Sequence, residues 1–131
     1  MVVPACHKSA FNRTAPILTN EDIALFVSYN QLREKVLVAL NKMLSFYGIM
    51  LASDRQQGKM TLSATFSQQK LNWVTLENHN FLRLIRILTS LNKLGFPMHT
   101  KAIFDILEII YLDNTTAIGT VIWNFWKQAA A

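Results

Sequence analysis

The stretch from Thr75 to Gly95 constrains the fold of this chain more than any other. Within TLENHNFLRLIRILTSLNKLG, Leu84, Ile87, Leu88, Leu91 and Leu94 recur three or four residues apart, and Phe81, Leu82 and Ile85 widen the stripe. That period puts the apolar side chains on one broad helical face, which neighbouring elements must cover over most of its circumference. The spacing predicts one long central helix over 76–94. Thr75 reads as its N-cap, with Glu77 set against the positive end of the helix dipole. Gly95 suits the left-handed residue that closes a helix, Phe96 can fold back on Leu91, and Pro97 forbids continuation. What remains polar is a narrow line of His79, Arg83, Arg86, Ser90 and Lys93.

The flanking segments supply the cover. Residues 1–18 read as an extended lead-in, with Pro4 and Pro16 in it and Phe11, Ile17 and Leu18 as anchors on the core. Thr19 or Asn20 starts a short helix with Glu21 and Asp22 in its first turn and Ile23, Phe26 and Val27 on one face. Gln31 to Tyr47 is a second long helix carrying Leu32, Val36, Leu40, Met43 and Tyr47, and Gly48 ends it. Between Ile49 and Phe66 the period changes to two: Met60, Leu62, Ala64 and Phe66 alternate after a polar turn at Asp54 to Gly58. A short two-stranded ribbon or an extended crossing loop fits there, lying on the helices because an isolated hairpin is marginal. Ser67 to Trp73 holds one or two helical turns. Met98 to Leu112 is amphipathic, with Ile103, Ile106, Leu107 and Ile110 inward and Lys101, Asp105 and Glu108 outward. Thr115 or Thr116 opens a last helix to about Lys127, weakened by Gly119. Short connections imply antiparallel neighbours. The expected fold is all-α: a compact bundle of about five helices around the central helix 76–94, with an extended or short β-ribbon crossing at 49–66, in one domain of residues 1–131.

Composition narrows the function classes. The chain is 51% apolar and 16% charged, against roughly 25% charged in a typical globular domain. Disorder is excluded, and a buried or associating surface beyond an ordinary core is implied. The net charge of +5 comes from cations scattered between Lys8 and Lys127. No basic block stands out, so no nucleic acid is expected as a partner. Cys6 is the one cysteine, which rules out an intrachain disulfide and suits a reducing compartment. With His7, His79 and His99 it makes no standard zinc set, and no metal or cofactor is expected. The uncharged run Asn114 to Trp126 is far short of the roughly 20 residues that a spanning helix needs, and no leader peptide is evident. The reading is a soluble, cytoplasmic protein without a transmembrane segment.

Enzyme signatures are thin. The chain holds no GxSxG, P-loop, GxGxxG or HExxH, and its carboxylates form no evident acid–base pair. One constellation stands out, the Asn78-His79-Asn80 cluster followed by Arg83 and Arg86. On a helix His79, Arg83 and Arg86 fall on one side with Asn80 adjacent. Two guanidinium forks beside an imidazole and an amide, near a helix N-terminus, can clamp a carboxylate or phosphate. His79, Asn80, Arg83 and Arg86 are therefore the candidate ligand-binding residues. A competing expectation is that at least one arginine braces a neighbouring helix in a buried ion pair, since so apolar a helix leaves little room for solvent. The aromatic end of the chain points to self-association through a hydrophobic strip near Trp123 and Trp126.

The runs FNRTAPILTNEDIALF (11–26), LREKVL to MLSFYG (32–48), NWVTLENHNFLRLIRILTSLNKLGF (72–96) and WNFWKQAA (123–130) resemble, in order, the conserved domain of the opioid growth factor receptor family. The most specific part is HN-x-LR-x-x-RIL-x-SL, here His79, Asn80, Leu82, Arg83, Arg86, Ile87, Leu88, Ser90 and Leu91, supported by the FYG of Phe46 to Gly48. The resemblance covers nearly the whole chain and is to the short, bacterial branch; animal members carry long C-terminal tails. The family usually opens with an aromatic segment of the type YIQWLFP, which only Val3-Pro4 echoes, so the start is either truncated or has lost that segment. Tyr29-Asn30 stands where Asp-Pro is common and Leu76-Glu77 where Pro-Gly is common, changes read as local and compatible with helix. The resemblance implies a helical, receptor-like domain; the reading adopted is a non-enzymatic binding domain, with a peptide or a small anionic ligand as the expected partner. In animals the family is named for binding the pentapeptide Met-enkephalin, is associated with nuclear and perinuclear membranes and restrains proliferation. His79, Asn80, Arg83 and Arg86 lie on matching motif positions. A small enzyme acting on an anion at the same line, or an oligomerising interaction module, are the alternatives.

Overall fold

The computed structural model describes the backbone of residues 19–28 and 30–131, and the side chains of 19–24 and 30–131. The lead-in expected over 1–18 and the Phe26/Val27 face lie outside the described residues. The elements are α1 (Asn20–Ser28), α2 (Asn30–Phe46), β1 (Ile49–Leu51), β2 (Met60–Leu62), α3 (Phe66–Gln69), α4 (Asn80–Lys93), α5 (Pro97–Asp113) and α6 (Thr115–Ala130). Single 3-10 turns occupy Arg55–Gln57 and Lys70–Asn72. The all-α reading holds, with α3 and the turn after it filling the stretch expected to hold one or two helical turns.

Local chemistry accounts for most boundaries. Thr19 caps α1 reciprocally: its hydroxyl accepts from the Asp22 N–H and the Asp22 carboxylate accepts from the Thr19 N–H, each at 3.1 Å. Val36, Leu37, Leu40 and Leu44 bury the inner face of α2. The chain then reverses at Gly48, where φ is +78° and an added Cβ would lie 2.7 Å from the Phe66 ring. Only glycine meets both conditions, which explains the last letter of the FYG run. β1 and β2 pair antiparallel, Ile49 opposite Leu62 and Leu51 opposite Met60. The Leu51 N–H donates to Asn41 Oδ1 of α2 at 3.4 Å and ties this ribbon to the helices.

The central helix starts later than its period predicts. Thr75 and Glu77 lie in the turns before α4, and Glu77 itself sits at φ +54°. Asn78 is the reason: its side-chain oxygen accepts from the Asn80 N–H at 2.9 Å, a local bond that competes with helix. The C-terminal end follows the expectation. The Phe96 N–H donates to the Leu91 carbonyl at 2.9 Å and the Gly95 N–H to the Asn92 carbonyl at 3.3 Å, a Schellman closure. Pro97 then opens α5 at a position where a missing N–H costs nothing.

One core joins these elements. Phe81, Leu84, Ile87, Leu88 and Leu91 of α4 share it with α2, β1, α5 and α6. Gly119, at φ 82° and ψ 159°, breaks α6 after one turn, and the longer part runs on to Ala130. That part seats Trp126 fully inside, its Nε1–H donating to the Phe81 carbonyl at 3.0 Å. Trp123 stacks on Phe104 and Tyr111 with centroids 5.1 and 4.8 Å away. Trp126 is therefore used within the fold and corrects the strip expected there; the exposed apolar residues of α6 are Val121 and Phe125. Among the described residues no helix is long and apolar enough to cross a membrane.

Candidate functional site

The turn before α4 rests on a column of aromatic rings. Phe46, Tyr47, Trp73, Phe81 and Trp126 meet edge to face in sequence, with centroids between 5.1 and 6.4 Å apart. Polar groups lock the column to the turn. The Trp73 Nε1–H donates to the Tyr47 carbonyl at 3.2 Å, and the Tyr47 hydroxyl donates to Asn80 Oδ1 at 3.1 Å. The Asn80 Nδ2 donates to Asn78 Oδ1 at 2.9 Å, and the Asn78 Nδ2 donates to Thr75 Oγ1 at 3.0 Å. Burial holds the Tyr47 hydroxyl above its ordinary pKa, and the nearby Arg83 charge opposes that rise.

The four sequence-predicted residues consequently part company. Asn80 is 4% exposed with its amide oxygen and nitrogen each hydrogen-bonded, so it fastens the turn from inside. His79, Arg83 and Arg86 are exposed along the neighbouring flank of the same helix start, with Arg83 near the Tyr47 hydroxyl. The bracing ion pair expected of an arginine is not found: among the described residues the two salt bridges are Arg55–Glu34 and Lys101–Asp105. The sequence of α4 contains no carboxylate at all. Leu82, 55% exposed, sits beside His79 and the two arginines. The arrangement offers two guanidinium forks and an imidazole near the positive end of a helix, beside an apolar contact. Such a surface takes up a carboxylate more readily than a cation.

A second polar cluster escaped the sequence reading. The Arg33 guanidinium stacks 4.1 Å above the Phe96 ring, and both terminal nitrogens donate to the Gly95 carbonyl at 3.3 Å. The neighbouring His99 is 2% exposed, and its Nε2 lies 2.6 Å from the Arg55 carbonyl, to which it donates. Burial lowers the His99 pKa, the Arg55 carbonyl opposes that shift, and the Arg33 charge adds to it. Arg55 in turn donates to the Glu34 carboxylate at 2.8 Å and holds that carboxyl below its usual pKa. These groups clamp the ribbon connection to α2 and α5. Their positions in sequence give no hint of the contact. Among the described residues no group of three or more His, Cys, Asp or Glu could hold a metal ion.

Comparison with known proteins bears on the same residues. The family described as opioid growth factor receptor (OGFr) conserved region matches residues 4–121. The human opioid growth factor receptor is 38% identical over 86 residues, which is 64% of this chain and 12% of the human protein. The mouse opioid growth factor receptor is 38% identical over 84 residues, 64% of this chain and 13% of that protein. An opioid growth factor receptor-like protein 1 of Xenopus tropicalis is 32% identical over 89 residues, 68% of this chain and 17% of that protein. The chain thus spans less than a fifth of the length of these relatives. No solved structure matches.

Proposed function

This chain belongs to the opioid growth factor receptor family, and from that membership we propose that it is a non-enzymatic binding domain that holds a short peptide through His79, Arg83 and Arg86. The observation that carries the reading is the exposed pair of arginines on a helix without a carboxylate, beside the exposed Leu82. The guanidinium forks bind the peptide's C-terminal carboxylate, and Leu82 meets an apolar side chain. Asn80, Tyr47 and Trp73 keep the helix start rigid, so little ordering free energy is lost on binding. The relatives' name, receptor for a growth factor, supports a peptide as the ligand, and a soluble, cytoplasmic setting goes with it.

Calorimetric titration with Met-enkephalin tests the reading. Saturable binding is expected, with affinity falling about tenfold or more in an Arg83→Ala/Arg86→Ala double variant. Amidating the peptide's C-terminus should weaken it similarly. Absence of binding at millimolar peptide, or equal affinity in the double variant, sinks the proposal. Self-association is the second reading, favoured by the exposed Val121 and Phe125 on α6. A clean monomer in sedimentation at micromolar concentrations removes it.

A further inference from the structure

The cationic face of α4 continues past the three residues used above. Lys93 is exposed in the last turn, in line with Arg86 two turns earlier, and Thr89 is the exposed residue between them. Ser90, which the sequence places in this line, is buried at 4% and drops out of it. From His79 to Lys93 the row rises through 14 residue steps, about 21 Å at the helical rise. Among the described residues none of these side chains is paired with a carboxylate. Arg83 and Arg86 stand three apart and repel one another, so an anionic partner relieves a standing cost of the free helix.

We propose that this face of α4 docks an acidic segment of a partner protein that is longer than a pentapeptide. The inference rests on the reading that His79, Arg83 and Arg86 form a ligand face, and it names the class of partner that fills the whole face. A fully extended pentapeptide spans at most about 18 Å, so one anchored at His79 stops short of Lys93. A helical segment of some four turns, with a carboxylate on each turn and an apolar residue against Leu82, meets every cation at once. Charge complementarity selects this occupant. A nucleic acid is the poorer match, because the aromatic residue of α4, Phe81, is 1% exposed and offers no base a stacking platform. A lipid surface is poorer too, because Leu82 supplies little apolar area for insertion.

The test uses a 16-residue amphipathic peptide with glutamates at helical spacing and a single leucine stripe, together with a twin in which every glutamate is glutamine. Fluorescence anisotropy is read at low and high salt, with Met-enkephalin as the short ligand. The acidic peptide should bind about tenfold or more tighter than its twin and lose affinity with salt. Lys93→Gln should weaken the acidic peptide several-fold and leave both the melting temperature and Met-enkephalin binding unchanged. Equal affinity for the two peptides overturns the proposal, as does an unchanged affinity in Lys93→Gln. Tighter, Lys93-dependent binding of duplex DNA or of phosphatidylserine vesicles also overturns it, assigning the face to another class of partner. If Met-enkephalin fails to bind while the acidic peptide behaves as stated, the short-peptide reading falls and this one stands.

Discussion

Asn80 and Arg83 stand one turn apart on α4 and belong to the same motif, yet one is enclosed and the other open to solvent. Asn80 is 4% exposed, with Tyr47 on its amide oxygen and Asn78 on its amide nitrogen. Arg83 is exposed and, among the described residues, has no carboxylate partner. The inner face of the helix start is thus a satisfied polar lock on an aromatic column. Beside it runs an exposed row of basic side chains, Arg83, Arg86 and Lys93, without a carboxylate partner among the described residues. The contrast teaches that a run of motif residues need not form one site. One part can hold the backbone still while the other faces solvent.

Mutations separate the two faces. Trp126→Ala strikes the inner side hardest, since it empties a fully buried site and frees the Phe81 carbonyl bond. A loss of about 3–5 kcal/mol is expected in urea unfolding. Asn80→Ala removes the acceptor of the Tyr47 hydroxyl, at about 1–3 kcal/mol by the same measurement. If Asn80→Ala proves neutral, the lock is not what fixes the outer row. Glu77→Gly should move the other way. Its φ of +54° is unfavourable for a residue with a Cβ, and relief of about 1 kcal/mol should raise the melting temperature.

A graded effect follows from His99, whose pKa burial depresses below the ordinary 6.5, helped by Arg33 and opposed by the Arg55 carbonyl. The unfolded chain takes up that proton first as pH falls. Stability is therefore full above pH 6.5 and declines below it. The groups facing the ring are Arg33 of α2 and Arg55 of the ribbon connection, with Glu34 neutralising Arg55. Urea unfolding at neutral and acidic pH should show the decline, and His99→Gln should flatten it. The smallest effect belongs to the outer face. Arg83→Met should change stability by less than about 0.5 kcal/mol. Sulfate should raise the melting temperature of the parent and not of an Arg83→Met/Arg86→Met variant. A several-kcal/mol loss in Arg83→Met would return that arginine to the inner, structural class.

Much of the fold was legible because its signals are local. The periods of α2, α4 and α5, the closure at Gly95 to Pro97 and the alternation that became β2 lie within a few residues of their effects. The start of α4 was misplaced because Thr75 and Glu77 look like a helix opening while Asn78 forms a tighter bond of its own. The reading of Leu76-Glu77 as compatible with helix fails for the same reason, since Glu77 sits at a positive φ, in a turn rather than a helix. In the candidate site, periodicity placed His79, Arg83 and Arg86 on one side. It did not turn Asn80 inward.

By itself the sequence determined which residues form helices, where several of them stop and which side of α4 is charged, because those outcomes depend on neighbours within a turn or two. Tertiary structure alone decided which polar residues are enclosed. Asn80 is held by Tyr47, 33 residues away, and His99 by Arg55, 44 residues away. The Trp126 indole is held by Phe81 across 45 residues. Burial and hydrogen-bond satisfaction depend on which distant segments arrive around a side chain. No local pattern encodes that, so the division of the motif into an inner lock and an outer cationic row came only with the packed core.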